Sequence, residues 1–247
     1  MRVIFLSKHT INNNCLGIDA LSYLSKNNLN IIMCVAKQKD DLYNFCKKTN
    51  IPVTNDINNC LQFDNIDLII SYGWGNLITP NIINLSKLGC INFHPAPLPE
   101  WKGMGGVFNY ALYENISNWG CSAHFIDETF DTGDIIKTNY FSIKHIDTIS
   151  KLTKLSHIHT LSLLKDVIDM YIQNKPIPRK KQEDGRYISK KDLDTLRKIN
   201  LTDSIETIDN KIESCFSPPY PGAYITINNK QYTLINTTIL NKIKIID

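Results

Sequence analysis

The chain has no C-x-x-C pair, and its seven cysteines are scattered and odd in number. That spacing argues against a zinc site and a disulfide framework and for a reducing cytosol. His157 and His159 stand apart from any cysteine, so no metal is read. No apolar run is long enough to span a bilayer, and the opening MRVIFLSKHT runs into a strand pattern without a signal-peptide layout. No G-x-G-x-x-G lies in the first turn, where a dinucleotide fingerprint would have to be. No Ser or Cys sits in a nucleophile-elbow context, which argues against an acyl-enzyme. Charge of one sign is also scarce. A net +3 supports mild attraction to anionic substrates and is too slight to argue for nucleic acid. The expectation is a cytoplasmic protein with neither membrane nor nucleic acid as a partner.

What is present is enough apolar sequence, 43%, to bury a sizeable core, arranged in alternating elements. Arg2 to Ser7 (RVIFLS) is a β-branched apolar run of the kind buried in a parallel sheet. A polar loop from Lys8 to Asn14 leads to a helix from Cys15 to Ser25 with Leu16, Ala20, Leu21 and Leu24 on one face. Ile31 to Val35 predicts a second strand, Asp40 to Thr49 a helix, Pro52-Val53 the start of a third strand and Asp67 to Ser71 the next core strand. This βαβαβ order predicts an α/β fold with a doubly wound, Rossmann-like parallel sheet. Gly103, Gly105 and Gly106 allow a tight approach before a helix from Val107 to Asn115.

Cys121 to Ile126 and Ile135 to Ile143 read as further strands. Asp147 to Ser150 can cap a long amphipathic helix whose apolar positions are Leu152, Leu155, Ile158, Leu161, Leu164, Ile168 and Ile172. His157 and His159 read as its surface or boundary residues. The proline-bearing, charged PIPRKKQEDGR from Pro176 is a linker signal. It divides the chain into a first domain, 1–175, and a small C-terminal subdomain, 176–247. That subdomain should hold a helix opening at Thr202 to Glu206, then two strands, Ala223 to Ile227 and Gln231 to Ile235, joined at Asn228-Asn229. Ile239 to Ile246 adds a further expected strand.

The stretch from Gly89 to Asp134 carries the chemistry. Asn92 and His94 are two residues apart at the end of an apolar run, so in a strand they share a face. Pro95, Pro97 and Pro99 then break the ladder. Phe130-Asp131-Thr132-Gly133-Asp134 forms a polar turn before Ile135. An amide and a protonated imidazole stabilise an oxyanion, and a carboxylate takes a proton or holds the imidazolium. Those three groups suit acyl transfer to an amine. Asp127 and Asp134 are rivals of Asp131 for the carboxylate role. Trp74, in the glycine-jointed loop Tyr72 to Pro80, either caps the core or meets a flat ligand.

Asn-x-His-Pro followed by Phe-Asp-Thr-Gly-Asp resembles the signature of the folate-dependent formyltransferases, a family that includes the methionyl-tRNA, glycinamide ribonucleotide and nucleotide-sugar N-formyltransferases. The resemblance implies a formyltransferase-type sheet with a small C-terminal helix and β-hairpin. It assigns catalysis to Asn92, His94 and Asp131, and makes 10-formyltetrahydrofolate the co-substrate. Tyr72, Gly73, Trp74, Asn76, Leu77 and Ile78 would then line the folate pocket, with Asp127 and Asp134 nearby. It extends to the Pro-Gly-Ala turn at Pro221 to Ala223, and departs at Glu213-Ser214-Cys215, where many relatives have Ile-Arg-Ala.

Within that family the short tail, about two dozen residues after Ala223, resembles the nucleotide-sugar branch. The implied acceptor is a nucleotide-linked amino-dideoxy sugar, most often a dTDP-4-amino-4,6-dideoxyhexose, feeding a bacterial O-antigen or other surface glycan. A homodimer through the C-terminal hairpin is also implied. Trp101 and Tyr220 are the aromatics expected to stack on base or sugar, with Lys8 or Lys102 near phosphate and Met104 beside the acceptor. A methionyl-tRNA or glycinamide ribonucleotide formyltransferase and a formyltetrahydrofolate hydrolase are the alternatives.

Overall fold

The computed structural model describes residues 1–8 and 16–244. The chain starts as β1 (Arg2–Leu6), in which Val3, Ile4, Phe5 and Leu6 are fully buried. Burying such side chains contributes roughly 1.5–3 kcal/mol each, so this strand becomes the middle of the sheet. Next come α1 (Leu16–Lys26), β2 (Asn30–Val35), α2 (Asp41–Lys48), which Asp40 caps by accepting from the Tyr43 N–H at 2.7 Å, and the short β3 (Val53–Thr54). Cys15 and the polar loop from residue 9 lie outside the described residues. A 3₁₀ turn, Ile57–Gln62, precedes β4 (Leu68–Tyr72), followed by α3 (Pro80–Ile83), β5 (Cys90–His94), the short β6 (Trp101–Lys102), α4 (Val107–Tyr113), β7 (Asn118–Phe125) and β8 (Ile135–Ser142).

Seven strands form one sheet in the order β3-β2-β1-β4-β5-β7-β8. The first five run parallel. β7 pairs antiparallel with β5 and β8 antiparallel with β7, a variation on the expected parallel sheet; the 126–134 connection between β7 and β8 is too short for a crossover helix. Strand order reverses between β1 and β4, and in open α/β sheets ligands bind outside the carboxyl ends at such a point. Lys8 leaves β1 there, Gly73 leaves β4, and His94 ends β5.

Thr148 caps α5 (Ile149–Ile172). Its buried face carries Thr153, Ser156, His157 and Thr160 besides Leu152, Leu163, Leu164 and Val167, while Ile158 and Ile172 are exposed. His157 is therefore an inward residue, contrary to the sequence reading. His159 stacks on Phe141 with ring centroids 3.9 Å apart. The segment from Pro176, read as a linker, runs back over the sheet, bridging Ile135 at Lys180, and its β9 (Arg186–Tyr187) pairs with β6. α6 (Lys190–Arg197), absent from the sequence reading, is held by a capping box between Ser189 and Asp192.

Ser204 caps α7 (Ile205–Cys215), and β10 (Tyr224–Ile227) and β11 (Lys230–Thr233) form the expected hairpin. The strand expected over Ile239 to Ile246 is instead a helix, α8 (Thr237–Lys244), within the described residues. Asn236 caps it by accepting from the Ile239 N–H at 3.0 Å. Ile239 and Ile243, four residues apart and so on one helical face, pack with Ile212, Cys215 and Ala223 into a small core. Among the described residues no helix is long and apolar enough to cross a membrane.

Candidate active site

Three side chains form a row across adjacent strands at the switch point. Ser71 on β4 is paired in register with Asn92 on β5, and Asn92 with His124 on β7. Residues directly opposed in a sheet share a face, so register alone assembles the row. The Ser71 hydroxyl donates to the Asn92 side-chain Oδ1 at 2.8 Å. That contact turns the Asn92 amide nitrogen toward the His124 Nε2, 3.1 Å away. On the far side of the ring, His124 Nδ1 lies 2.7 Å from the Phe125 carbonyl oxygen. A carbonyl oxygen only accepts, so Nδ1 carries the proton and Nε2 of the neutral ring accepts from Asn92. The second amide hydrogen of Asn92 remains for the cavity.

His94, also buried, follows on the same face. Its Nε2 donates to the Trp101 carbonyl oxygen at 2.9 Å, and its Nδ1 faces the Asp131 carboxylate at 3.7 Å. The same carboxylate lies 3.5 Å from His124 Nε2 and accepts the Gly103 N–H at 2.9 Å. Burial by itself would raise the pKa of Asp131. The charge of His94 and the Gly103 N–H oppose it, and the carboxyl is held well below the usual carboxylate range. Asp131 has a left-handed backbone, φ 57°, which costs a non-glycine residue about 1–2 kcal/mol. Gly103 (φ 94°) has no room for a side chain, since a Cβ would sit 2.5 Å from the Ile188 carbonyl oxygen. That closeness is what lets the Gly103 N–H reach Asp131.

Asn92, His94, His124 and Asp131 lie at one wall of a cavity of about 300 Å³, which Tyr72, Trp74, Ile78, Phe93, Val107 and Ile126 make largely apolar. Tyr72, Gly73, Trp74, Asn76, Leu77 and Ile78 all line it, and Leu77 and Met104 are half-exposed in its wall. His157 and Thr160 of α5 line it too. Trp74 is buried, the Lys8 ammonium sits 4.1 Å from its ring centroid, and its Nε1 has no acceptor among the described residues.

Other expected residues lie elsewhere. Trp101, expected to stack on base or sugar, is instead buried against Trp119 with centroids 5.3 Å apart. Lys102 is buried, with its ammonium 3.5 Å from the Glu183 carbonyl oxygen. Both are drawn in because β6 pairs with β9. Tyr220 is 65% exposed and does not line the cavity. Asp127 accepts from Thr129 and Thr132, Asp134 lies 3.8 Å from Arg179, and neither lines the cavity. Sequence reading missed Ser71 and His124. The alternation of Cys121 to Ile126 was a signal for His124, but only the β5–β7 register puts it opposite Asn92.

Residues 26–168 match the family described as formyl transferase, and residues 194–245 the family described as formyl transferase, C-terminal domain. The methionyl-tRNA formyltransferase of Syntrophomonas wolfei is 31% identical over 178 residues, 70% of this chain and 54% of that protein, so the matched stretch spans about half of that relative. The GDP-perosamine N-formyltransferase of Brucella melitensis is 29% identical over 211 residues, 81% of this chain and 80% of that protein. Among solved structures, the N-formyltransferase of Helicobacter canadensis, in complex with folinic acid and dTDP-3-aminofucose, is similar in fold. Its TM-score is 0.73 at 22% identity, covering 93% of this chain and 85% of that one. With the Asn-x-His-Pro strand end and the Asp-Thr-Gly turn meeting at one cavity wall, and a family match over more than half its length, this chain belongs to the formyltransferase family.

Proposed function

We propose that this protein transfers the formyl group of 10-formyltetrahydrofolate to the amine of a nucleotide-linked amino-dideoxy sugar, with a dTDP-4-amino-4,6-dideoxyglucose as the first acceptor to try. The observation that carries formyl transfer is the convergence of Asn92, His94 and Asp131 on one wall of an apolar cavity. The co-substrate fits that cavity chemically: its walls suit a flat ring, and the buried Trp74 Nε1 is a donor in want of an acceptor. Residues 72–78 would hold the folate.

In the reaction, the amine nitrogen bonds to the formyl carbon, the carbon's bond to folate N10 breaks, and N10 takes a proton. The Asn92 amide and a protonated His94 hold the oxyanion that builds on the formyl oxygen. Asp131 orients His94 and accepts the amine proton. A carboxyl held so far below its ordinary range is a weak base and a strong electrostatic anchor, so holding the imidazolium is its larger role.

The sugar acceptor draws support from the extent of the likeness to the Brucella and Helicobacter proteins. Similarity to methionyl-tRNA formyltransferases favours a second reading, with methionyl-tRNA as acceptor. In the proposed reading residues 1–175 form the catalytic unit and residues 176–247 an appendix, whose hairpin, with Ile227 and Tyr232 exposed, joins two copies. The product would serve bacterial O-antigen or other surface glycan synthesis from the cytoplasm.

An acceptor screen with 10-formyltetrahydrofolate, scored by mass spectrometry for one added formyl group, tests this. The panel holds dTDP-, UDP- and GDP-linked 3-amino and 4-amino sugars, glycinamide ribonucleotide and methionyl-tRNA. Formylation of a nucleotide sugar is expected. Formylation of only tRNA or glycinamide ribonucleotide overturns the sugar assignment, and folate loss without any formylated acceptor points to a hydrolase.

A further inference from the structure

Residues 180–187 are tied to the first domain at two points. Lys180 and Ile135 exchange backbone hydrogen bonds of 2.8 and 2.9 Å, and β9 pairs with β6. Between those anchors the Gln182 side chain reaches the Asp131 turn. Its Nε2 donates to the Asp131 carbonyl oxygen at 3.0 Å and to the Gly133 carbonyl oxygen at 2.7 Å. Both partners only accept, so the amide can face them only through its nitrogen. Asp131 is the left-handed residue of this turn, and the two carbonyls are its own and that of Gly133, two residues on.

We propose that Gln182 is a positioning residue for formyl transfer, clamping the 131–133 turn so that the Asp131 carboxylate meets the Gly103 N–H, His94 and His124 together. The inference rests on the formyl-transfer reading above. Its physical basis is leverage. Asp131 meets those partners at 2.9, 3.7 and 3.5 Å, and its backbone conformation is one that a released turn would tend to leave. An ångström of drift at a reacting centre can lower the rate on the order of 100-fold. Among the described residues Gln182 hydrogen-bonds to backbone only, through Nε2, and its buried Oε1 has no partner, so these bonds act on chemistry through Asp131.

Two substitutions isolate the donor. Gln182→Met keeps the length and removes both hydrogen bonds, while Gln182→Glu turns an acceptor toward acceptors; either variant suffices if the other fails to fold. With the acceptor found in the screen, kcat should fall roughly 10-fold or more while both KM values stay within about 3-fold. In an Asp131→Asn background, Gln182→Met should cost little further, because groups acting as one unit are not additive. Hydrogen exchange should quicken at the Gly103 amide while amides of β1 and β4 keep wild-type rates.

Wild-type kcat in the variants, or a full additional loss in the Asp131→Asn background, overturns the proposal. So does faster exchange throughout the sheet with no local excess at Gly103, which marks Gln182 as merely structural. If the wild-type protein formylates no acceptor, the functional reading fails, and Gly103 exchange still decides whether Gln182 holds the Asp131 turn.

Discussion

Asn92 and His124 oppose each other across the β5–β7 pair, with the amide nitrogen 3.1 Å from the imidazole Nε2. Together with the Ser71 hydroxyl on the other strand, this contact fixes which end of the Asn92 amide faces the cavity. An oxyanion donor is useful only when it is preorganised, and here the sheet itself supplies the preorganisation.

His124→Phe removes the acceptor and leaves Asn92 free to rotate. Steady-state kinetics should show kcat reduced roughly 10- to 100-fold, with KM for both substrates close to wild type. A rise in KM at constant kcat would instead make His124 a substrate-binding group.

Asn92→Ala and His94→Ala remove the oxyanion's amide donor and the positive charge beside it. Each should lower kcat on the order of 100- to 1,000-fold while folate affinity, measured by calorimetry, changes little. Wild-type turnover in either variant would sink the catalytic assignment.

Asp131 has a folded-state pKa held far below the ordinary carboxylate range. Such a group contributes stability above the unfolded value, about pH 4, and loses it as pH falls through the folded value. Asp131→Asn should therefore show a stability deficit in urea titrations at pH 7 that narrows at about pH 3. A deficit independent of pH would mean that the variant loses packing rather than the charge of Asp131.

Trp119 is fully buried between Trp101 and Phe108, with centroids 5.3 and 5.9 Å away, and donates from Nε1 to the Pro95 carbonyl oxygen at 3.0 Å. Trp119→Ala should cost about 3–5 kcal/mol in denaturant unfolding. Because the indole also anchors the loop after His94, Trp119→Phe, which keeps most of the volume and loses the donor, should lower kcat by more than its stability loss explains.

Much of this molecule was legible along the chain. The buried runs at Arg2, Ile31 and Asp67 announced the parallel strands because a strand covered on both faces must be apolar throughout. Asn92 and His94 announced a shared face because strand side chains alternate with period two. Motif order linked them to Asp131, and the Asn228-Asn229 pair, both with positive φ, marked the hairpin.

What local pattern left open depends on partners distant in sequence. Ile239 to Ile246 is apolar enough for a strand, and only the small core beneath α8 decides for a helix. Trp101 looks exposed in sequence and is buried because β9 crosses it. His124 becomes part of the site through antiparallel register, and Gln182 through a segment that returns across 49 residues of chain to Gly133. The sequence by itself determined which groups are available for acyl transfer and which strands carry them. Tertiary structure alone decided how those groups are oriented, because a hydrogen-bond partner's position follows from strand register and chain return, which local periodicity does not encode.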